Sequence, residues 1–155
     1  MAVEVVTAIQ IGRPRTEVAE FACNPDNATR WYANIKSVEW MSPPPLTVGS
    51  RLSFVASFLG RQLAYTYEVV ELVPGSKLTM STQQGPFPME TSYTWEDTTP
   101  RGTRMTLRNR GEPTGFSKVG GPLLTLAMRR ANQRDLARLK RELESASGAM
   151  DSQPT

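Results

Sequence analysis

Only one segment of this chain, Gly115 to Leu143 (GFSKVGGPLLTLAMRRANQRDLARLKREL), carries a helical pattern long enough to cover more than a pair of strands. It comes last. Most of what precedes it alternates apolar and polar residues, as strands with one buried face do. Val3 to Ile11 reads as a first strand, with Val3, Val5, Thr7, Ile9 and Ile11 on one side. Pro14 and Thr16 then open a short helix over Glu17 to Ala22. Asn24-Pro25-Asp26 supplies a cap and a proline at the first helical position, so a second short helix starts there and ends near Trp31-Tyr32.

Six further strands follow: Ile35 to Met41, Arg51 to Leu59, Gln62 to Leu72, Lys77 to Thr82, Met89 to Asp97 and Thr103 to Arg110. Pro43-Pro44-Pro45, Gly60-Arg61, Val73-Pro74-Gly75-Ser76 and Pro100-Arg101-Gly102 punctuate them, as does the loop Gly85-Pro86-Phe87-Pro88. A run of antiparallel strands apolar on one face needs a cover, and only the last helix is long enough. The pattern therefore predicts an α+β chain, a strongly bent antiparallel sheet of about seven strands wrapped around a helix from roughly Pro122 to Glu144. Gly120-Gly121-Pro122 is where that helix should begin or bend, with Phe116 to Val119 as a separate turn. Phe116, Val119, Leu123 and Ala127 share one face, while Leu136, Leu139 and Leu143 point nearly the opposite way. A change of buried face between Ala131 and Leu136 is expected, from covering a cavity to packing on the sheet and first strand.

At 155 residues the chain fits one domain, over 3–146, followed by a polar tail at 147–155 that should be disordered. No apolar run reaches transmembrane length, so no stable membrane insertion is expected. MAVEVVTAIQIG alternates instead of joining a charged start to a continuous apolar stretch, which argues against a secretory signal and for a cytoplasmic protein. The net charge of +3 is modest, and bases and acids alternate along the last helix. That is a solvated face, with no nucleic acid as partner. Cys23 is the only cysteine and there are no histidines. Disulfides, thiolate clusters, histidine metal sites and histidine acid–base chemistry all fall away, and no metal or cofactor is expected. Any catalysis must use carboxylates, tyrosine, arginine, lysine or bound water.

Alternation also assigns the concave face. Met89, Thr91, Tyr93 and Trp95 share one side of their strand, as do Thr103, Met105, Leu107 and Asn109 of the last. The central hairpin contributes Leu52, Phe54, Ala56 and Phe58 with Leu63, Tyr65, Tyr67 and Val69, and Leu78 and Met80 belong to the same side. Rings, methionines and a few hydroxyls together suit a flat apolar molecule carrying some polar groups. The ligand-binding candidates are Trp31, Phe54, Phe58, Tyr65, Tyr67, Met80, Met89, Tyr93, Trp95, Leu107, Asn109, Leu124 and Met128. For Leu52, Leu63, Val69, Leu78 and Met105 plain core packing is the preferred account, because buried aliphatics are the default core.

Three chemistry-bearing residues need separate placement. Asp135 aligns with Leu124, Met128, Ala131 and Leu139, and is expected at the edge of the stripe, paired with Arg138 or Lys140. The competing reading is a desolvated acid or base facing a cavity. Cys23 reads as a small buried hydrophobe and not a nucleophile. Arg108 and Arg110 alternate outward, although a one-residue slip would turn both inward.

Several stretches resemble one known family in order and spacing. IGRPRTEVAEFACNPDNATRW is similar to the opening of the START-like superfamily, which includes polyketide cyclases and lipid-transfer proteins. YEVVELVPGSKL, SYTWEDTTPRGTRMTL and RDLARLKREL resemble its middle turn, last hairpin and closing helix, and the match runs from about Val3 to Glu144. The resemblance implies a helix-grip fold with a cavity between sheet and helix. It leaves three functions open: a carrier of a lipid- or polyketide-like small molecule, a cyclase, aromatase or dehydratase acting in the same cavity, and an interaction module whose core is filled. No paired-carboxylate signature favours the enzyme, although positioning a reactive chain in a dry pocket can itself speed cyclisation.

Overall fold

The computed structural model describes residues 3–58, 60–84, 88–98, 101–111 and 121–151. Strand β1 runs over Val3–Ile11, followed by helix α1 over Arg15–Cys23, a 3₁₀ turn over Pro25–Asn27 and helix α2 over Ala28–Trp31. Strands β2 (Ile35–Trp40), β3 (Arg51–Phe58), β4 (Arg61–Val73), β5 (Lys77–Gln84), β6 (Met89–Thr98) and β7 (Gly102–Gly111) come next, then helix α3 (Gly121–Asp151). The seven strands form one antiparallel sheet in the order β1-β7-β6-β5-β4-β3-β2. This is the helix-grip arrangement, a curled sheet closed against a long last helix.

Local sequence explains the joints. The Asn24 side chain accepts the Asp26 N–H at 3.0 Å and Pro25 sits in the first turn, which together start the 3₁₀ turn where a cap was read. Gly75, at φ 77°, takes the left-handed position of the turn between β4 and β5, a conformation that a side chain would strain. Arg15 pins α1 to that turn by donating from Nη1 to the Gly75 carbonyl at 2.8 Å and the Ser76 hydroxyl at 3.0 Å. Gly102 packs so close to Ile11 and Thr98 that an added Cβ would lie 2.6 Å from Thr98 Oγ1.

The inward set is the one that alternation assigned. Val3, Val5, Thr7 and Ile11 of β1, Leu52 and Phe54 of β3, Leu63, Tyr65, Tyr67 and Val69 of β4, and Thr103 to Asn109 of β7 at every second position are buried. Arg110 is exposed and Arg108 pairs with Glu4 of β1 on the outer face, so the register has not slipped.

Helix α3 departs from the expected pattern in three ways. Its buried residues, Leu124, Met128, Asn132, Asp135, Leu136, Leu139 and Leu143, form one continuous stripe. No change of face occurs. Leu123, taken as part of the apolar face, is 63% exposed, and the stripe is carried through its middle by two polar residues. The helix also runs to Asp151, past the point where a loose tail was expected. It starts at Gly121, while the turn expected over 116–119 lies outside the described residues. At its far end Glu144 Oε2 accepts the Gly12 N–H at 2.8 Å and the Lys140 ammonium at 2.7 Å, and Lys140 also donates to the Gln10 carbonyl at 2.8 Å. These bonds hold α3 to the end of β1.

Candidate functional site

Between the concave face and the first half of α3 lies a cavity of about 160 Å³. The sheet supplies Phe54, Ala56, Leu63, Tyr65, Tyr67, Met80, Met89, Thr91, Tyr93 and Asn109. Tyr32, Asn34 and Ile35 close one side, and α3 contributes Met128, Ala131, Asn132 and Asp135. Asn34, Ile35, Ala56, Ser57 and Ala131 are half-buried and mark where the cavity reaches solvent, so it is open on one side and not enclosed.

Rings make up most of the sheet-side wall. Phe54 meets Tyr67 edge-on at 5.6 Å between centroids, and Tyr65 lies 5.9 Å from Tyr67. Their closeness follows from register, since Phe54 faces Tyr65 and Leu52 faces Tyr67 across the β3–β4 ladder. Thr91 and Asn109 are likewise direct partners between β6 and β7, and the Thr91 hydroxyl donates to Asn109 Oδ1 at 3.0 Å. The Tyr67 hydroxyl lies 3.4 Å from Thr91 Oγ1. The Tyr93 hydroxyl bonds that of Tyr32. Most polar atoms of the sheet-side wall are therefore spent on one another. Burial holds all four phenols in their neutral form, with Tyr67 pushed up to about 12.

The helix side differs. Among the described residues Asp135 is the one charged member of the lining, and it is only 3% exposed. Its Oδ1 accepts the Ala33 N–H at 3.0 Å, tying α3 to the segment after α2. Burial raises its pKa to about 6, against the opposing pull of that N–H and of Arg134 and Arg138. The expected edge position is corrected here: the carboxylate faces inward, and Arg138 acts on it only through space. One turn earlier on α3, Asn132 is 7% exposed and its Nδ2 has no hydrogen-bond partner among the described residues. Among the described residues no three carboxylates, thiols or imidazoles converge as a metal site.

Of the thirteen ligand candidates, Phe54, Tyr65, Tyr67, Met80, Met89, Tyr93, Asn109 and Met128 line the cavity. Trp31, Trp95, Leu107 and Leu124 are buried beside it, with Trp31 packed 3.9 Å from Tyr32 between ring centroids. The side chain of Phe58 lies outside the described residues. Sequence reading missed Tyr32 and Asn132, and gave the inward Asp135 only as the competing reading. The signal was the spacing of residues 124, 128, 132, 135 and 139, which keeps both polar residues on one apolar stripe. Cys23 is half-buried, and desolvation pushes its thiol up to about 12, which favours the neutral thiol.

The sequence model for polyketide cyclase/dehydrase and lipid transport matches residues 2–144. The chain belongs to that family. Solved structures agree with this family member in fold. A Thermus thermophilus protein has a TM-score of 0.81 at 20% identity, over 93% of this chain and 99% of that one. A START superfamily protein from Mycobacterium smegmatis has a TM-score of 0.81 at 14% identity, covering 92% and 98%. The Zhui aromatase/cyclase of a Streptomyces species has a TM-score of 0.76 at 14% identity, covering 93% and 94%. No curated protein matches the sequence significantly. Among the described residues no helix is long and apolar enough to cross a membrane.

Proposed function

We propose that this chain binds a small, largely apolar molecule in the cavity between its sheet and α3. The observation that carries the reading is a void of about 160 Å³ left in a core otherwise packed with rings and open on one side. Interiors close-pack by default, so a space that the surrounding side chains could have filled is better explained by an occupant. A single ring buries roughly 200 Å². At about 25 cal/mol per Å² that gives about 5 kcal/mol before ordering costs. Native mass spectrometry of protein purified from its own host tests the proposal. A retained small molecule, released on denaturation, is the expected result. A bare polypeptide whose melting temperature no aromatic fragment raises would overturn it.

Catalysis of the cyclase or dehydratase type is the second reading, and Asp135 favours it. A buried carboxylate with a pKa of about 6 is mostly ionised at neutral pH and close to the value at which proton transfer is efficient. It could take a proton from carbon next to a carbonyl and return it to a departing hydroxyl, the proton traffic of cyclisation followed by dehydration. The name of the Zhui aromatase/cyclase supports the class of reaction only by likeness of fold. Under this reading Asp135→Asn lowers turnover by about 10²-fold or more with binding retained. Equal turnover in the variant would return the chain to the carriers.

A further inference from the structure

We propose that the outer face of α3 docks on an anionic phospholipid bilayer, where the protein exchanges its apolar occupant. The exchange rests on the binding reading above, whereas the docking stands on the helix itself. At 100° per residue Leu123, Leu126, Arg130, Arg134 and Arg141 fall within about 80° of arc, opposite the buried stripe. All five are exposed. Arg129 is exposed on one flank, and Arg138 is half-buried on the other. Over 121–141 the only acid is Asp135, and it is buried on the inner side. Among the described residues none of the five arginines forms an ion pair.

Such a face complements a surface dense in phosphate, which guanidinium groups meet with paired hydrogen bonds. The leucines select a bilayer over other polyanions. Leu123 is 63% and Leu126 44% exposed, in the turn before the arginines and on the same side. Apolar side chains on a basic helix face enter the headgroup layer while the bases stay among the phosphates. From Leu123 to Arg141 the helix covers about 27 Å, enough to lie along the surface and not touch it by one end. It lies on the bilayer and does not cross it, for no described helix is long and apolar enough. Position joins this face to the cavity. Arg134 Nη2 donates at 3.3 Å to Oδ1 of Asn34, a residue of the cavity's open side. Ala131, at the same opening, follows Arg130 directly. An apolar molecule partitions from water into a bilayer, so the opening is bordered by the face that meets its source.

Cosedimentation of the full chain across a titration of vesicles tests this. One set is phosphatidylcholine alone and the other is half phosphatidylglycerol. Expected is attachment at least tenfold stronger to the anionic set, weakening at least tenfold between about 0.1 and 0.5 M salt. Each basic side chain near an anionic surface strengthens attachment about fivefold, so Arg129→Gln/Arg130→Gln/Arg141→Gln should lose roughly 100-fold. Arg51→Gln/Arg104→Gln/Arg110→Gln removes the same charge from exposed positions on the sheet and should lose less than threefold. Leu123→Ser/Leu126→Ser should attach several-fold more weakly and melt within 2 °C or so of the parent. Equal attachment to both vesicle sets, or equal losses in the two arginine variants, would overturn the docking face. Duplex DNA or a polyglutamate peptide that binds through the same arginines more tightly than the vesicles would also overturn it. Failure to attach, with a small molecule retained in native mass spectrometry, would overturn the docking and leave the binding reading intact. Attachment by a polypeptide that is bare in native mass spectrometry would support the docking and overturn the exchange.

Discussion

Asp135 is the residue whose environment most alters its chemistry. Its folded pKa of about 6 stands above the ordinary 3.8, so the native state holds a proton that the unfolded chain has already released between those values. Fewer protons bound in the unfolded state means that stability falls as pH rises through that window, by roughly 3 kcal/mol at most, and is level above it. Asp135→Asn should remove this slope and melt no lower than the parent at pH 7. Thermal unfolding at half-unit steps from pH 4 to pH 8 checks both, and a parent whose melting temperature rises over pH 4–6 would place the carboxylate in water. The tyrosines behave differently because their hydroxyls bond within the protein. Tyr93→Phe leaves the buried Tyr32 hydroxyl without its partner, at a cost of about 1 kcal/mol. A drop of about 2–4 °C in melting temperature with ligand affinity within twofold is expected. Such residues were legible as inward-facing from alternation alone. Whether each spends its polar atom on a neighbour or on a ligand was not, because that depends on cross-strand register and on residues as distant as Tyr32.

At the scale of elements the sheet was readable nearly to the residue, and α3 was not. Strands such as β6 and β7 bury every second residue, so period and punctuation give face and bounds together. The helix misled because its apolar residues exceed what it buries. Leu123 and Leu126 are leucines in water, while Asn132 and Asp135 occupy the stripe. Apolar composition alone then drew two faces where the packing has one. Substitution can test the single stripe directly. Leu139→Ala, at a position fully buried, should cost about 2–5 kcal/mol, whereas Leu123→Ser should stay within about 0.5 kcal/mol. Urea unfolding of the two variants settles the comparison, and similar costs for both would restore the twisted two-face helix. The lesson extends to charge. With Asp135 turned inward and Glu142 paired to Arg30, the outer side of α3 is more basic than its sequence suggested.

The whole molecule decides whether an inward face becomes core or cavity. Alternation says which side chains turn inward, but the space between them depends on how far a seven-stranded sheet curls and how closely α3 approaches. Neither is a local property of sequence. This is why Leu107 and Leu124 are packed away while Ala56 and Ala131, small and unremarkable in the sequence, border the opening. Those two alanines offer a test of the cavity as a whole. Ala131→Trp would place an indole at the mouth, beside a void of about 160 Å³. In a closed core such an insertion forces neighbours off their rotamers and costs about 1–3 kcal/mol. Here the ring has space to enter, so the melting temperature should change little or rise as apolar surface leaves water. Binding of any small molecule should fall at least tenfold, because the variant carries its own occupant. Thermal unfolding and titration of the same preparation read the two effects separately. A large loss of stability would mean that the side chains already fill this space, and the interaction module with a filled core would then be the better account of the fold.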